Sequence, residues 1–119
     1  MKSRMTSKYK TGEIWIADLN PRQGTEAGKR RPVLIIQSQA LLNANHPSTI
    51  ILPLTTQLVE EAYPLRIKLP KNKYLEESDI MIDQIRSIDN SRLVKGPIVR
   101  LDDKSLEEIF ITLSKVVAI

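Results

Sequence analysis

The chain of 119 residues has no cysteine and a single histidine, His46. Disulfides and thiolate metal sites are therefore excluded, and one imidazole cannot build a histidine-based zinc site. Metal chemistry would need clustered carboxylates, and the acids here fall in helix or turn contexts. Aromatic residues number five, so nucleic-acid binding by stacking successive bases on rings is poorly supported. No apolar run approaches the roughly 18 residues of a transmembrane helix. Met1 to Thr11 is basic and polar, without the apolar core of a secretory signal, so a cytoplasmic protein with no membrane partner is expected. Gly24 and Gly28 are not followed by the Lys-Ser/Thr and helix of a P-loop, and no Gly-x-Ser-x-Gly elbow is present. The usual NTPase and serine hydrolase chemistries drop out.

What is present is positive charge, gathered at one end. The net charge is +4. Residues 1–32 hold eight Lys or Arg against three acids, a net +5, whereas residues 33–119 hold ten against eleven, a net −1. Such asymmetry points to a polyanionic partner. Its focus is the stretch Asn20-Pro21-Arg22-Gln23-Gly24-Thr25-Glu26-Ala27-Gly28-Lys29-Arg30-Arg31-Pro32, which opens directly onto Val33-Leu34-Ile35-Ile36. Pro32 fixes its own φ and pushes Arg31 toward an extended conformation. Arg31 is thus expected as the last loop residue before a rigid strand, a place from which a scaffold can aim a cation at phosphate. The alternative for the basic segment Met1 to Lys10 is a solvated tail with no partner.

The rest of the pattern is one domain of short strands closed by a helix. Strands are expected at Glu13–Leu19, Pro32–Gln37, Thr49–Leu54 and Leu65–Leu69. Residues 79–83 and 84–88 read as one long strand or a bent pair, with a short strand at Ile98–Leu101. The continuous apolar run after Pro32 is that of a strand buried on both faces. Leu106, Ile109, Phe110, Leu113, Val116 and Val117 follow helical spacing behind an Asp102 or Asp103 cap. The expected fold is mainly β with α: a small, strongly bent antiparallel sheet or barrel with a C-terminal helix packed on it. A basic, flexible extension is expected over residues 1–11, and a single domain over 12–119.

The available catalytic groups suit a phosphodiester that carries its own nucleophile. In RNA the 2′-hydroxyl can attack the adjacent phosphorus, leaving the protein to handle protons and developing charge. Arg31 suits the charge, since a planar guanidinium grips phosphate in two places; its alternative is a plain surface cation. Thr55 and Thr56 end the third strand, where a hydroxyl donates either to a phosphoryl oxygen or to a local turn. Asp83 is an acid inside an apolar strand, so it faces solvent or has a partner. Arg86, three residues on, is expected on the opposite strand face, as a phosphate contact or a surface cation. Glu26 is expected to pair with Lys29, Arg30 or Arg31 and orient the basic loop. His46 reads as an exposed loop residue and Trp15 as a core or interface aromatic.

Taken in order, Gly12-Glu13-Ile14-Trp15, Asp18-Leu19-Asn20-Pro21, Gly24-Thr25-Glu26, Arg31-Pro32-Val33-Leu34, Pro53-Leu54-Thr55 and Asp83-Gln84-Ile85-Arg86-Ser87-Ile88-Asp89 resemble the MazF/PemK family of toxin endoribonucleases. The resemblance covers roughly residues 12–119. It implies an SH3-like barrel acting as a homodimer, and sequence-specific, metal-independent cleavage of single-stranded RNA without a cofactor. The products would carry a 2′,3′-cyclic phosphate and a 5′-hydroxyl. It implies Arg31 and Thr55 as catalytic residues, with Asp83 a secondary candidate because only some members use an acid there. Lys29, Arg30, Thr56, Gln57 and Arg86 become candidate RNA contacts. It further implies an antitoxin that presents an acidic flexible segment, with DNA reached only through that antitoxin. One departure is visible: the family loop usually reads Glu-Gln-x-Gly-x-Arg-Pro, whereas here Ala27 replaces the Gln and the glycine comes one residue early, at Gly28. The competing readings are a non-catalytic binder on the same barrel, either a gyrase poison or a general RNA-binding protein. The gyrase-poisoning relatives carry a C-terminal Trp-Gly-Ile, and this chain reads Val117-Ala118-Ile119.

Overall fold

Backbone pairing in this chain is organised around three strands that are apolar on both faces. The computed structural model describes residues 7–21, 23–25 and 28–119. Strands β1 (Glu13–Asp18), β2 (Arg30–Ile35) and β3 (Ser48–Thr55) are joined by further strands β4 (Arg66–Leu69), β5 (Ser78–Met81), β6 (Arg86–Asp89) and β7 (Leu93–Arg100). A short helix α1 (Gln39–Asn43) links β2 to β3, and helix α2 (Asp103–Val116) follows β7. The pairing is antiparallel in the order β4-β5-β3-β2-β1-β7, with β6 on β3. No helix among the described residues is long and apolar enough to cross a membrane.

Alternation along each strand sorts side chains between two cores. Ile14, Leu34, Ile36, Leu52 and Leu54 join Leu106, Ile109 and Leu113 of α2 on one face. Trp15, Ala17, Val33, Ile35 and Ile51 join Leu42, Ile88 and Leu93 on the other. This is why Val33 to Ile36 is apolar without interruption: successive residues enter different cores. Helix α2 contributes Leu106, Ile109 and Leu113, each buried and each stabilising the fold by about 1.5–3 kcal/mol relative to exposure. Its N-cap is Asp102, whose carboxylate accepts from the Ser105 N–H at 2.7 Å.

Several expected elements are corrected. The sheet does not close into a barrel among the described residues, because no ladder joins β4 to β7. The β4 edge is four residues long, set between Pro64 and Pro70, and carries Lys68, features that keep an edge from pairing further. Strand β2 starts at Arg30, so Arg31 sits inside the ladder, opposite Ala17, rather than at the end of a loop. The extended conformation that Pro32 imposes on Arg31 is already a strand conformation. Between β5 and β6 the chain makes a 3₁₀ turn at Ile82–Gln84. Asp83 therefore lies on an exposed turn and not in a strand, and simple alternation between Asp83 and Arg86 does not apply.

Strand β7 also begins five residues earlier than Ile98, because Lys95-Gly96-Pro97 reads as a turn but is held within the ladder to β1. Register shifts on either side of Ile16 absorb the irregularity. Of the N-terminal segment, residues 1–6 lie outside the described residues. Tyr9 meets Trp15 edge-on at 4.9 Å, and the Thr11 hydroxyl donates to the Gln37 carbonyl at 2.6 Å.

Gly96 lies flat against the Trp15 indole: a Cβ there would stand 2.5 Å from Trp15 Cδ2. Gly96→Ala is expected to destabilise the protein by about 1–3 kcal/mol through displacement of a packed ring. Urea unfolding with an unchanged slope would register it, and a change within error would show that the indole yields freely.

Candidate nucleic-acid interface

The site begins where two central strands stop pairing. The β2–β3 ladder runs from Ile35 opposite Ile51 to Val33 opposite Pro53 and goes no further. Pro32 is the next residue of β2 whose backbone would face β3, and it lacks an N–H, so it cannot donate to a continued ladder. Beyond Pro53, β3 turns to β5, with Leu54 opposite Ile80 and Thr55 opposite Asp79. The side chain of Arg31 occupies the place where backbone pairing has ended. Its Nη1 donates to the Leu54 carbonyl at 3.2 Å and its Nε to the Gly28 carbonyl at 2.9 Å. The early glycine thus supplies a carbonyl that fixes Arg31.

A cleft of about 440 Å³ opens at this point, lined by Arg31, Thr55, Lys29 and Gln57 together with Asn20, Thr25, Gly28, Arg66, Met81 and Gln84. A second depression of about 230 Å³ shares Lys29, Arg31, Thr55 and Gln57 and adds Arg30 and Thr56. Arg31 and Thr55 thus line both. Three cations and no acid line the larger cleft among the described residues. Such a lining favours an anionic ligand.

Thr55 Oγ1 accepts the Gln57 N–H at 3.1 Å, a side-chain turn at the strand end. That bond fills an acceptor position and leaves the hydroxyl proton available for donation into the cleft. Of the two expected alternatives for Thr55 the turn is formed, and it does not consume the hydroxyl proton that the donor role would need. Lys29 has a left-handed backbone, with φ +56°, and its N–H donates to Asn20 Oδ1 at 2.7 Å. Asn20 is thus the anchor of the basic segment, an unusual conformation for a residue with a Cβ. Arg30 is exposed and stands 4.0 Å from Asp18, a pairing that contributes about 0–1 kcal/mol. Glu26 lies outside the described residues, so its expected ion pair does too.

Two expected residues stand apart. Asp83 is exposed and lines neither depression. Arg86 also lines neither; it is half-buried on β6 opposite Ile51, with a buried Nη1 that has no hydrogen-bond partner among the described residues. It is therefore not a plain surface cation. Two residues that matter to the cleft were absent from the sequence-based candidates. Arg66 of β4 reaches its wall, and Asp79 of β5, fully buried, holds Arg66 from behind. The Arg66 Nη1 donates to Asp79 Oδ2 at 3.1 Å and to the Gln57 carbonyl at 2.9 Å. Asp79 also accepts the Val59 N–H at 2.9 Å and Lys68 Nζ at 3.4 Å. The rule that an acid in an apolar strand needs a partner applies here to Asp79 rather than to Asp83.

Burial alone would raise the Asp79 pKa, but the Val59 amide, the Arg66 guanidinium and the Lys68 ammonium outweigh it and hold the carboxyl below its ordinary 3.8. A carboxyl depressed in the folded state contributes stability above its unfolded pKa and loses it as pH falls through the folded value. Asp79→Asn is expected to cost roughly 1.5–3 kcal/mol at neutral pH, the scale of a hydrogen bond to a charged group. The wild-type advantage should shrink on acidification below the ordinary carboxylate range. Denaturant unfolding of both proteins across that range checks it; a difference independent of pH would refute the assignment.

Comparison with known proteins places the fold and the family. Residues 10–117 match the family model of the PemK-like, MazF-like toxin of type II toxin-antitoxin systems. The chain is 36% identical over 100 residues to the endoribonuclease MazF of Staphylococcus saprophyticus, covering 82% of each chain. Its fold is similar to the crystal structure of MazF from Deinococcus radiodurans, with a TM-score of 0.77 at 23% identity over 92% of this chain and 96% of that one. It is also similar to a mycobacterial endoribonuclease in complex with its cognate antitoxin, with a TM-score of 0.68 at 16% identity over 92% of each chain. With a family model spanning nearly the whole chain and a relative above 30% identity, this protein belongs to the PemK-like, MazF-like toxins of type II toxin-antitoxin systems.

Proposed function

We propose that this toxin is a sequence-specific endoribonuclease that cleaves single-stranded RNA at the cleft between Arg31 and Thr55, without a metal or cofactor. The observation that carries the site is that these two side chains wall one cationic cleft at the point where β2 and β3 part. The endoribonuclease relative supports the activity. The 2′-hydroxyl gives up its proton as its oxygen attacks phosphorus; the bond from phosphorus to the 5′ oxygen breaks and that oxygen takes up a proton. A 2′,3′-cyclic phosphate and a 5′-hydroxyl result, and no water is consumed. Arg31 takes the charge that grows on the phosphoryl oxygens and faces the protons in transit, while the Thr55 hydroxyl donates to a non-bridging oxygen. Both are held before substrate arrives, Arg31 by two carbonyls and Thr55 by the Gln57 amide. That preorganisation is what makes charge stabilisation effective.

Lys29, Arg30, Thr56 and Gln57 surround this pair and are assigned to RNA binding; Asp83, the secondary catalytic candidate, and Arg86, an RNA-contact candidate, line neither depression and rank below them. In the cell the protein acts as a cytoplasmic homodimer, held in check by an antitoxin whose acidic segment competes for the cationic cleft. The family membership and the antitoxin complex of a structural neighbour support that partner.

Purified protein incubated with defined single-stranded RNA in excess EDTA should cut it and leave the stated ends. RNA left intact across varied sequences would refute the activity and favour a non-catalytic binder. Arg31→Ala and Thr55→Ala should each lower kcat about 10²–10³-fold, as for loss of a donor to a developing anion. Cleavage unchanged in both would keep the enzyme and discard the site.

A further inference from the structure

The Arg66–Asp79 pair has no part in the chemistry assigned to Arg31 and Thr55, yet it is built into the wall of the same cleft. Both hydrogen bonds of Arg66 leave from Nη1, to Asp79 Oδ2 and to the Gln57 carbonyl. Among the described residues its Nε and Nη2 make none. A guanidinium held by one terminal nitrogen keeps its other edge, Nε–H beside Nη2–H, as a parallel pair of donors. That edge matches two oxygens of one phosphate. Its acceptor Asp79 is fully buried and is further fixed by the Val59 amide and Lys68. The Arg66 side chain, one quarter exposed, is therefore aimed before any ligand binds.

We propose that Arg66 is a ligand for an RNA phosphate other than the scissile one, and that Asp79 is the positioning residue that aims it. The inference rests on the endoribonuclease reading for the identity of the ligand. It extends the cleft beyond Arg31 and Thr55, toward β4, and places a backbone clamp there. Lys68 and Glu60 complete the cluster, at 3.1 Å from one another. With Arg66 and Asp79 they form two cations and two anions, so the cluster is formally neutral. Arg66 thus contributes directed donors at short range rather than long-range attraction, which falls to Lys29 and Arg31.

The test uses full-length protein and a single-stranded RNA carrying 2′-O-methyl groups throughout, which binds without a nucleophile. Affinity is measured by fluorescence anisotropy over a series of sodium chloride concentrations. Arg66→Gln should weaken binding about tenfold or more and make the logarithmic salt dependence shallower by about 0.7, one phosphate contact on a single strand. Arg66→Lys should keep the slope and recover part of the affinity. Asp79→Asn should weaken binding as well, and the double variant Arg66→Gln/Asp79→Asn should bind no worse than Arg66→Gln alone. Thermal unfolding of each variant separates lost aim from lost fold.

An unchanged affinity and slope in Arg66→Gln overturn the proposal. So does a loss confined to RNAs with one particular base and no change in slope, which would make Arg66 a base contact. Additive losses in the double variant would overturn the role of Asp79. If the wild type cleaves RNA while Arg66→Gln binds normally, this inference fails and the activity stands. If the slope changes as stated but the wild type never cleaves, the phosphate contact stands and the activity fails.

Discussion

A missing backbone donor sets the shape of this molecule. Pro32 stands at the end of the β2–β3 ladder, facing β3, and cannot extend it. A central pair of strands in a buried sheet ordinarily continues until both run out. Here β3 leaves β2 while its other edge, paired with β6 as far as Ile51, goes on to pair with β5 at Leu54 and Thr55. The parting creates an opening inside the sheet rather than at its edge. Arg31 then closes the polar account by giving a guanidinium donor to the Leu54 carbonyl, which β2 no longer serves. The cation that lines the cleft is thus also a substitute for a backbone bond.

This arrangement explains which parts of the molecule could be read in one dimension. The unbroken apolar run Val33–Ile36 implied burial on both faces, and the two cores lie on either side of β2. The acid-rich start and apolar stripe of α2 are local signals, and they marked the helix and its Asp102 cap. Arg31, beside Pro32, and Thr55, at the end of its strand, could be nominated from local pattern, whereas Lys29 and Gln57 are nominated through the family resemblance. Their meeting in one cleft is tertiary, and its nomination came from motif order rather than from spacing. The less legible parts are those fixed by non-local contacts. Lys95-Gly96-Pro97 has turn composition, yet the flat face of Trp15 accommodates Gly96 within a strand. Nothing within a few residues of Asp79 shows that Arg66 and Lys68 will reach it from β4. Asp83 sat in equally apolar surroundings, but a 3₁₀ turn carries it into solvent. Propensity stated that one such acid needs company; only packing decided which.

The charged groups divide by environment rather than by number. Arg30 and Asp18 face water and gain little from their proximity. Asp79 is sealed behind β4 and its partners are indispensable, because an uncompensated carboxylate there would be costly. The consequence is a graded cleft, with the exposed cations Lys29 and Arg30 at the β1–β2 side and a guanidinium fixed by a buried carboxylate at the β4 side. Initial attraction and final orientation are thereby assigned to different residues.

The cleft gathers its walls from positions as far apart as Asn20 and Gln84. Its completion also depends on β1, whose outer edge is covered only by β7 near the end of the chain. Contacts of such separation in sequence are slow to form and are made together. A chain still emerging from the ribosome has no cleft until β5 has been synthesised. For a protein with an endoribonuclease relative, this makes the presence of the cleft conditional on a chain folded through Gln84.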